Sequence, residues 1–379
     1  MDRKARNLVL FEEAMQKVYG PYPTDTSDPG PWQPPSTPGA GGHKGRYLWT
    51  DAFGVVNFIT LSREKGGGGG HSRPLYLELA RRLADAVHAV LGRTRDGAAR
   101  LPGATDAEPL RGGLRIGKLD ADGQDGDGQY HHYLTLWMFA LNRLALATGE
   151  ARWNGLAMQL AKAVHPRFMT ERGGKETMVW KISTDMRRVL VNSKGNLDDV
   201  DGLVIFQLLQ DTAELFARDT TNDSMEKRIS LEAEIEQYRR IAAGHPKTLS
   251  GDPLDLGMSL WTCHLDRDAA WSRPLAKDGL AIALYRFLPA AQSPITAGRK
   301  QPYRLAFREF GACMGIKCYE DDPAKPLHDS VQVVLDAWEG KVLKGADEDL
   351  RPINLVMYAA ALIPGGWSLR DRLLTLLRA

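Results

Sequence analysis

The feature that most constrains this chain is an alternation between two kinds of helix-length apolar block. In the first kind, apolar residues fall on one stripe: Leu75, Leu79, Leu83, Val87, Val90 and Leu91 share a face, with Arg81, Arg82 and Asp85 elsewhere. Leu231, Ile235, Tyr238 and Ile241 repeat the pattern, as do Leu327, Val331, Val334, Leu335 and Trp338. Such helices keep one wet face. The second kind is apolar nearly all round, as in Leu134-Thr135-Leu136-Trp137-Met138-Phe139-Ala140-Leu141 and Gly202-Leu203-Val204-Ile205-Phe206-Gln207-Leu208-Leu209. A helix of that type must be covered on every side. Wet-faced blocks are expected near 4–18, 73–92, 150–164, 229–243, 272–287 and 326–340, with a closing one at 367–378. Buried blocks begin near Trp49, Tyr130, Asp199, Asp255, Tyr303 and Arg351. The order predicts six outer–inner helix hairpins in one all-α domain spanning 1–379, arranged as a ring with parallel inner helices.

The buried blocks share a second regularity: each opens with polar residues and then turns apolar. The openings are Trp49-Thr50-Asp51, Tyr130-His131-His132, Asp198-Asp199-Val200-Asp201-Gly202, Asp252-Pro253-Leu254-Asp255-Leu256-Gly257, Arg304 through Arg308-Glu309, and Arg351-Pro352-Ile353-Asn354. Two of them, 196–203 and 251–258, look like copies of one motif. Asp198 and Asp252 suit the helix N-cap, where a short side chain accepts from exposed backbone N–H groups. Asp201, Asp255, Arg308 and Glu309 lie further inside helices that are otherwise apolar, where a charge is costly unless paired or wet. A shared polar pocket at the starts of the inner helices meets that requirement.

Elsewhere the pattern breaks. Residues 20–46 hold too much Pro and Gly for helix or central strand, and 65–71 contain five consecutive glycines, Gly66 to Gly70. Both flank the first inner helix, as surface loops or as lids over the pocket. Residues 175–191 are β-branched and aromatic enough for a short β-hairpin insertion.

Composition excludes more than it selects. Hydrophobic residues make up 43% of the chain, enough for a large core, and 49 Lys+Arg against 47 Asp+Glu give a net charge of +2. No basic run with interleaved aromatics suggests a nucleic-acid partner. No apolar run is long enough to span a membrane, and the N-terminus lacks the apolar stretch of a signal peptide. Cys263, Cys313 and Cys318 lack metal-ligand spacing and read as reduced thiols of a cytoplasmic protein. The expected ligand is a small polar or anionic molecule, with no metal and no cofactor.

Asp127-Gly128-Gln129-Tyr130-His131-His132-Tyr133 and Leu197-Asp198-Asp199-Val200-Asp201-Gly202, both at inner-helix starts, resemble the six-hairpin (α/α)6-toroid superfamily. That superfamily is six-hairpin glycosidase-like and includes unsaturated glucuronyl hydrolases and N-acylglucosamine 2-epimerases. The resemblance implies an all-α (α/α)6 toroid acting on a carbohydrate, with its active site at the N-terminal ends of the inner helices.

Three chemistries compete. Glycoside hydrolysis needs an acid and a second carboxylate, and Asp199 or Asp201 against Asp255, with Glu309 in reserve, is the leading expectation. A sugar epimerase or isomerase would use a pocket histidine, His132 or His264, because imidazole moves protons near neutral pH. A cyclase or other non-hydrolytic protein with an apolar metabolite is the third. Asp198-Asp199-Val200-Asp201 superficially suits magnesium, but the second metal motif is missing at Asn222-Asp223-Ser224. Trp49, Asp51, Tyr130, His131, Arg115, Lys118, His264, Arg304, Arg308, Arg351 and Asn354 are the candidate substrate-binding residues. The cations suit an anionic group, and Trp49 is placed to stack on a ring.

Overall fold

The computed structural model describes residues 2–24, 28, 30–35, 45–66, 72–121, 123, 126–218, 229–244, 247–292, 304–319, 325–345 and 350–368. The predicted alternation is present block by block. The outer helices are α1 (Arg3–Tyr19), α3 (Ser72–Leu91), α5 (Ala151–Phe168), α7 (Glu232–Ala243), α9 (Ser272–Ile282) and α12 (Lys325–Lys344). The inner helices are α2 (Leu48–Gly66), α4 (His131–Thr148), α6 (Asp198–Arg218), α8 (Pro253–Leu265), α11 (Ala306–Lys317) and α13 (Arg351–Leu362). A short α10 (Leu288–Gln292) follows α9. The chain is all-α in the (α/α)6 element order, with a small β insertion. The predicted closing helix, the glycine run after Gly66 and Asn222-Asp223-Ser224 lie outside the described residues.

Burial separates the two kinds of helix. On α2, Leu48 through Ser62 are all buried, whereas α7 buries Ile235, Tyr238 and Ile241. Uninterrupted burial is what an all-round apolar sequence demands, since no face can meet water. The molecule comprises two compact units, one of Met1–Tyr22 with Lys247–Asp371 and the other of Pro23–Pro246.

In the second unit α2 packs on α3 and α4, and α4 packs on α5 and α6. In the first, α8 packs on α9 and α11, and α11 lies against α12 and α13. The α8–α11 approach is unusually close, because a Cβ added to Gly257 would stand 2.0 Å from the Gly311 carbonyl oxygen. The predicted motif copies 196–203 and 251–258 each supply a glycine here: Gly202 makes room for the Tyr238 ring, as Gly257 does for α11.

The β insertion is larger than the hairpin expected over 175–191. Strands β2 (Met169–Arg172) and β3 (Lys175–Met178) form an antiparallel hairpin closed by Gly173 and Gly174, both at positive φ. Strand β4 (Lys181–Ile182) pairs with β5 (Val189–Val191) and with β1 (Gln129–Tyr130), which leads directly into α4. The sheet therefore fixes the segment that delivers Tyr130, His131 and His132. No described helix is long and apolar enough to cross a membrane.

Candidate functional site

Within the second unit the polar starts of α2, α4 and α6 converge, as parallel inner helices require. His132 Nδ1 lies 2.7 Å from Asp201 Oδ2. Asp201 is buried, whereas the His132 side chain retains 14% exposure. A carboxylate accepts from Nδ1–H, so the acceptor lone pair of the neutral ring sits on Nε2. The Trp49 ring lies 5.0 Å from the His132 ring. Tyr133 is 5.3 Å from Trp49, Tyr130 is 4.5 Å from Tyr133, and Trp180 is 4.7 Å from Tyr130. These four aromatics run from α2 through the start of α4 to the β3–β4 connection and form a wall beside His132.

The other carboxylates at these helix starts each meet a cation or a donor. Asp51, fully buried, accepts from Arg46 Nε at 2.8 Å. Asp199 Oδ2 pairs with Lys194 Nζ at 2.7 Å, and its Oδ1 accepts from the Val200 N–H. Asp198 does not cap α6 in the forward direction: its Oδ2 accepts from Gly195 N at 2.7 Å, and its Oδ1 lies 3.8 Å from His131 Nδ1. Burial pushes the Asp198 carboxyl up more than any other single influence, but His131, His132 and the Gly195 N–H together hold it below its ordinary value. His131 faces away from the aromatic wall, with Nε2 2.7 Å from the Tyr238 hydroxyl. Burial first, and then Asp198 and Asp199, push the Tyr238 hydroxyl well above its usual range.

In the first unit the starts of α8, α11 and α13 likewise meet. Asp252 caps α8, accepting from the Leu254 and Asp255 N–H groups, and pairs with Arg308 on α11. Asn354 on α13 accepts from the Phe307 N–H at 3.0 Å, capping α11 from outside. Glu309 is gripped by both Nε and Nη2 of Arg304 and accepts from Trp338 Nε1 at 2.8 Å. Arg304 and Arg308 thus act as partners of carboxylates. Asp255 is half-buried in the first turn of α8. Arg351, also half-buried, lines a small recess with Trp338, Lys341 and Asn354.

Two groups of predicted binding residues lie away from the helix starts. His264 is fully buried in the last turn of α8, with Nδ1 3.2 Å from Arg267 and Nε2 3.3 Å from Ser368 Oγ. Arg115 is a loop clamp, donating to Asp127 Oδ2 and to the Arg93 and Val90 carbonyls. Lys118 contributes its backbone N–H to Asp127 Oδ1 at 3.4 Å, and that oxygen also receives Gly117 and Gly128.

No protein-family model matches the chain, and no curated protein matches it. Solved structures do. One is a sugar epimerase from a ruminal bacterium, 12% identical over 88% of this chain and 83% of that one, with a TM-score of 0.43. Another is a glycoside hydrolase family 76 mannosidase from Bacteroides thetaiotaomicron VPI-5482, 12% identical over 95% of this chain and 99% of that one, with a TM-score of 0.47.

Sequence reasoning named His132 and Asp201 but not their pairing. It did not name Arg46, Lys194 or Trp180. Tyr133 closes the 127–133 motif already singled out, where no role was assigned to it. Trp180 carried a signal of its own, as a large aromatic in a segment of mostly polar and β-branched residues.

Proposed function

We propose that the chain is a sugar isomerase or epimerase in which His132, oriented by Asp201, transfers a proton at the carbon next to a carbonyl. The observation that carries the reading is the 2.7 Å Nδ1–carboxylate contact at the one half-open imidazole among the polar helix starts of the second unit. Nε2 takes the C–H proton, and the bonding pair moves onto the carbonyl oxygen as an enediolate. Asp201 stabilises the imidazolium that forms, and the proton is then returned. Return to the neighbouring carbon on the same face, as the hydroxyl proton of the first carbon passes to the former carbonyl oxygen, gives the isomeric sugar; epimerisation requires in addition a proton donor on the opposite face of the enediolate. A positioned base of this kind contributes on the order of 10²–10⁴-fold to rate.

A reducing sugar is the substrate class that suits the surroundings. Its apolar C–H face stacks on the half-buried rings of Tyr133, Tyr130 and Trp180, which Trp49 backs from the core, while its hydroxyls require polar neighbours of the kind that the helix starts supply. The chain needs no cofactor for this chemistry.

Glycoside hydrolysis is the second reading, favoured by the three buried carboxylates in the first turn of α6. It requires one carboxyl to act as acid and the other as base or nucleophile. In this structure Lys194 and His132 occupy Asp199 and Asp201. Incubation of a panel of aldoses, N-acylated amino sugars and small glycosides in D₂O separates the two. Carbon-bound deuterium in recovered sugar, absent with His132→Gln, supports proton transfer. Glycoside cleavage with no carbon-bound deuterium overturns it in favour of hydrolysis.

A further inference from the structure

The first unit also carries a cavity of about 570 Å³ along the outer helix α9. Its walls are apolar: Leu280 and Leu284 come from α9 and its continuation, Tyr319 follows α11, and Leu327 belongs to α12. The volume lies in the range of small-molecule sites, roughly 300–1,000 Å³. The charged residues described in the lining are Arg267, Arg273 and Lys277, and all three are positive. Arg273 lies 3.8 Å from Asp268 with both side chains about two-thirds exposed, a pair weakly held in water.

The helix is also irregular at this place. Residues Ala283–Phe287 form a π-helical turn, and it leaves Leu284 and Tyr285 exposed at 44% and 76%. Single π turns inside α-helices recur at functional sites, because the inserted residue re-aims its neighbours at a modest cost in backbone hydrogen bonding. Here the turn sets large apolar side chains at the rim of an apolar cavity instead of burying them.

We propose that this cavity binds a single-chain anionic amphiphile, a long-chain carboxylate, with its tail between Leu280, Tyr319 and Leu327 and its head group beside Arg273 and Lys277. An unbranched tail suits an apolar cavity that follows one helix, and a single negative head suits the three cations of its lining, Arg267, Arg273 and Lys277. The proposal shares no residue with the chemistry proposed for His132 and does not depend on it.

Calorimetric titration of the full chain with decanoate and dodecanoate, below their micellar concentrations, tests the assignment. Saturable one-to-one binding should tighten about fourfold per methylene, so roughly 16-fold between the two acids. 1-Dodecanol should bind more weakly than dodecanoate. The exposed charge reversals Arg273→Glu and Lys277→Glu, combined, should weaken dodecanoate at least tenfold and leave the alcohol unchanged. Leu280→Asp should abolish binding of both, with far-ultraviolet circular dichroism reporting that the helices persist. Partitioning that never saturates, affinity indifferent to chain length, or equal binding of acid and alcohol would overturn the proposal.

Discussion

Gly257 offers a stringent test of how the inner helices meet. A methyl group there would stand 2.0 Å from the Gly311 carbonyl oxygen and 2.2 Å from its carbon, against ordinary contact at 3.4 Å or more. The obstacle is backbone, which no rotamer change can move. The reverse view agrees: a Cβ on Gly315 would lie 2.2 Å from the Gly257 carbonyl oxygen. Gly257→Ala therefore forces α8 and α11 apart along a fully buried seam. Overpacking of a core costs about 1–3 kcal/mol, and a rigid obstacle places this case at the upper end. The alanine returns about 1 kcal/mol of helix propensity, which leaves a net loss of about 2 kcal/mol. Gly340 on α12 is the control, since it is exposed and a Cβ there would meet nothing within 4 Å. Gly340→Ala should stabilise by about 0.5–1 kcal/mol through chain entropy alone. Urea denaturation reads both, as midpoints moving in opposite directions. If Gly257→Ala shifts the midpoint upward as Gly340→Ala does, the two helices do not touch backbone to backbone and the packing described here is wrong.

Other consequences are equally open to measurement. Burial lowers His88 to about 3 from an ordinary 6.5, and Trp137 Nε1 donates to its Nε2 at 3.1 Å. The folded-state value lies below the unfolded one, so the stability from keeping His88 neutral is complete above about pH 6.5. It is lost as pH falls toward 3, at about 1.4 kcal/mol per pH unit. His88→Phe should flatten that slope in denaturation curves taken from pH 7 to 4, and an unchanged slope would place the titrating group elsewhere. Asp127→Ala strands the buried Arg115 guanidinium and should cost about 3–5 kcal/mol in thermal unfolding, whereas a loss under about 1 kcal/mol would show that the loop does not hang on this carboxylate. Trp180→Ala should raise KM for a sugar substrate and leave kcat within about threefold, because stacking binds ground and transition states alike. A fall in kcat at constant KM would instead give Trp180 a part in the chemistry.

Much of this architecture was legible in the sequence, for identifiable reasons. A segment such as 134–141, apolar on every side, has no stable alternative to full burial, so the inner helices announce themselves. The outer helices announce themselves by the stripe of Leu75, Leu79 and Leu83. The polar openings were legible because charge inside an apolar helix needs an explanation. What pairs with those charges was not. Arg46 reaches Asp51 from a Pro- and Gly-rich segment, and Lys194 reaches Asp199 from a turn. Loop conformation decides both, and loop conformation leaves no periodic trace. The same limit explains Arg115, whose surroundings suggested a ligand but whose partner is Asp127, a dozen residues on. The place of His264 depends on another quantity: helix length decides that it sits in the last turn of α8, at the opposite end from the polar opening. The π turn after Ile282 had no signature beyond an ordinary amphipathic pattern.

The proton-transfer account stands on which nitrogen of His132 carries the proton. Nitrogen-15 NMR of the histidine side chains, with His132 assigned by comparison to His132→Gln, reads the tautomer directly. The account predicts that the neutral ring is protonated at Nδ1, with Nε2 as the basic nitrogen, and that Asp201→Asn disturbs this preference. A neutral His132 protonated at Nε2 in the intact protein would contradict it, because the ring would then present a donor where the reaction needs a base.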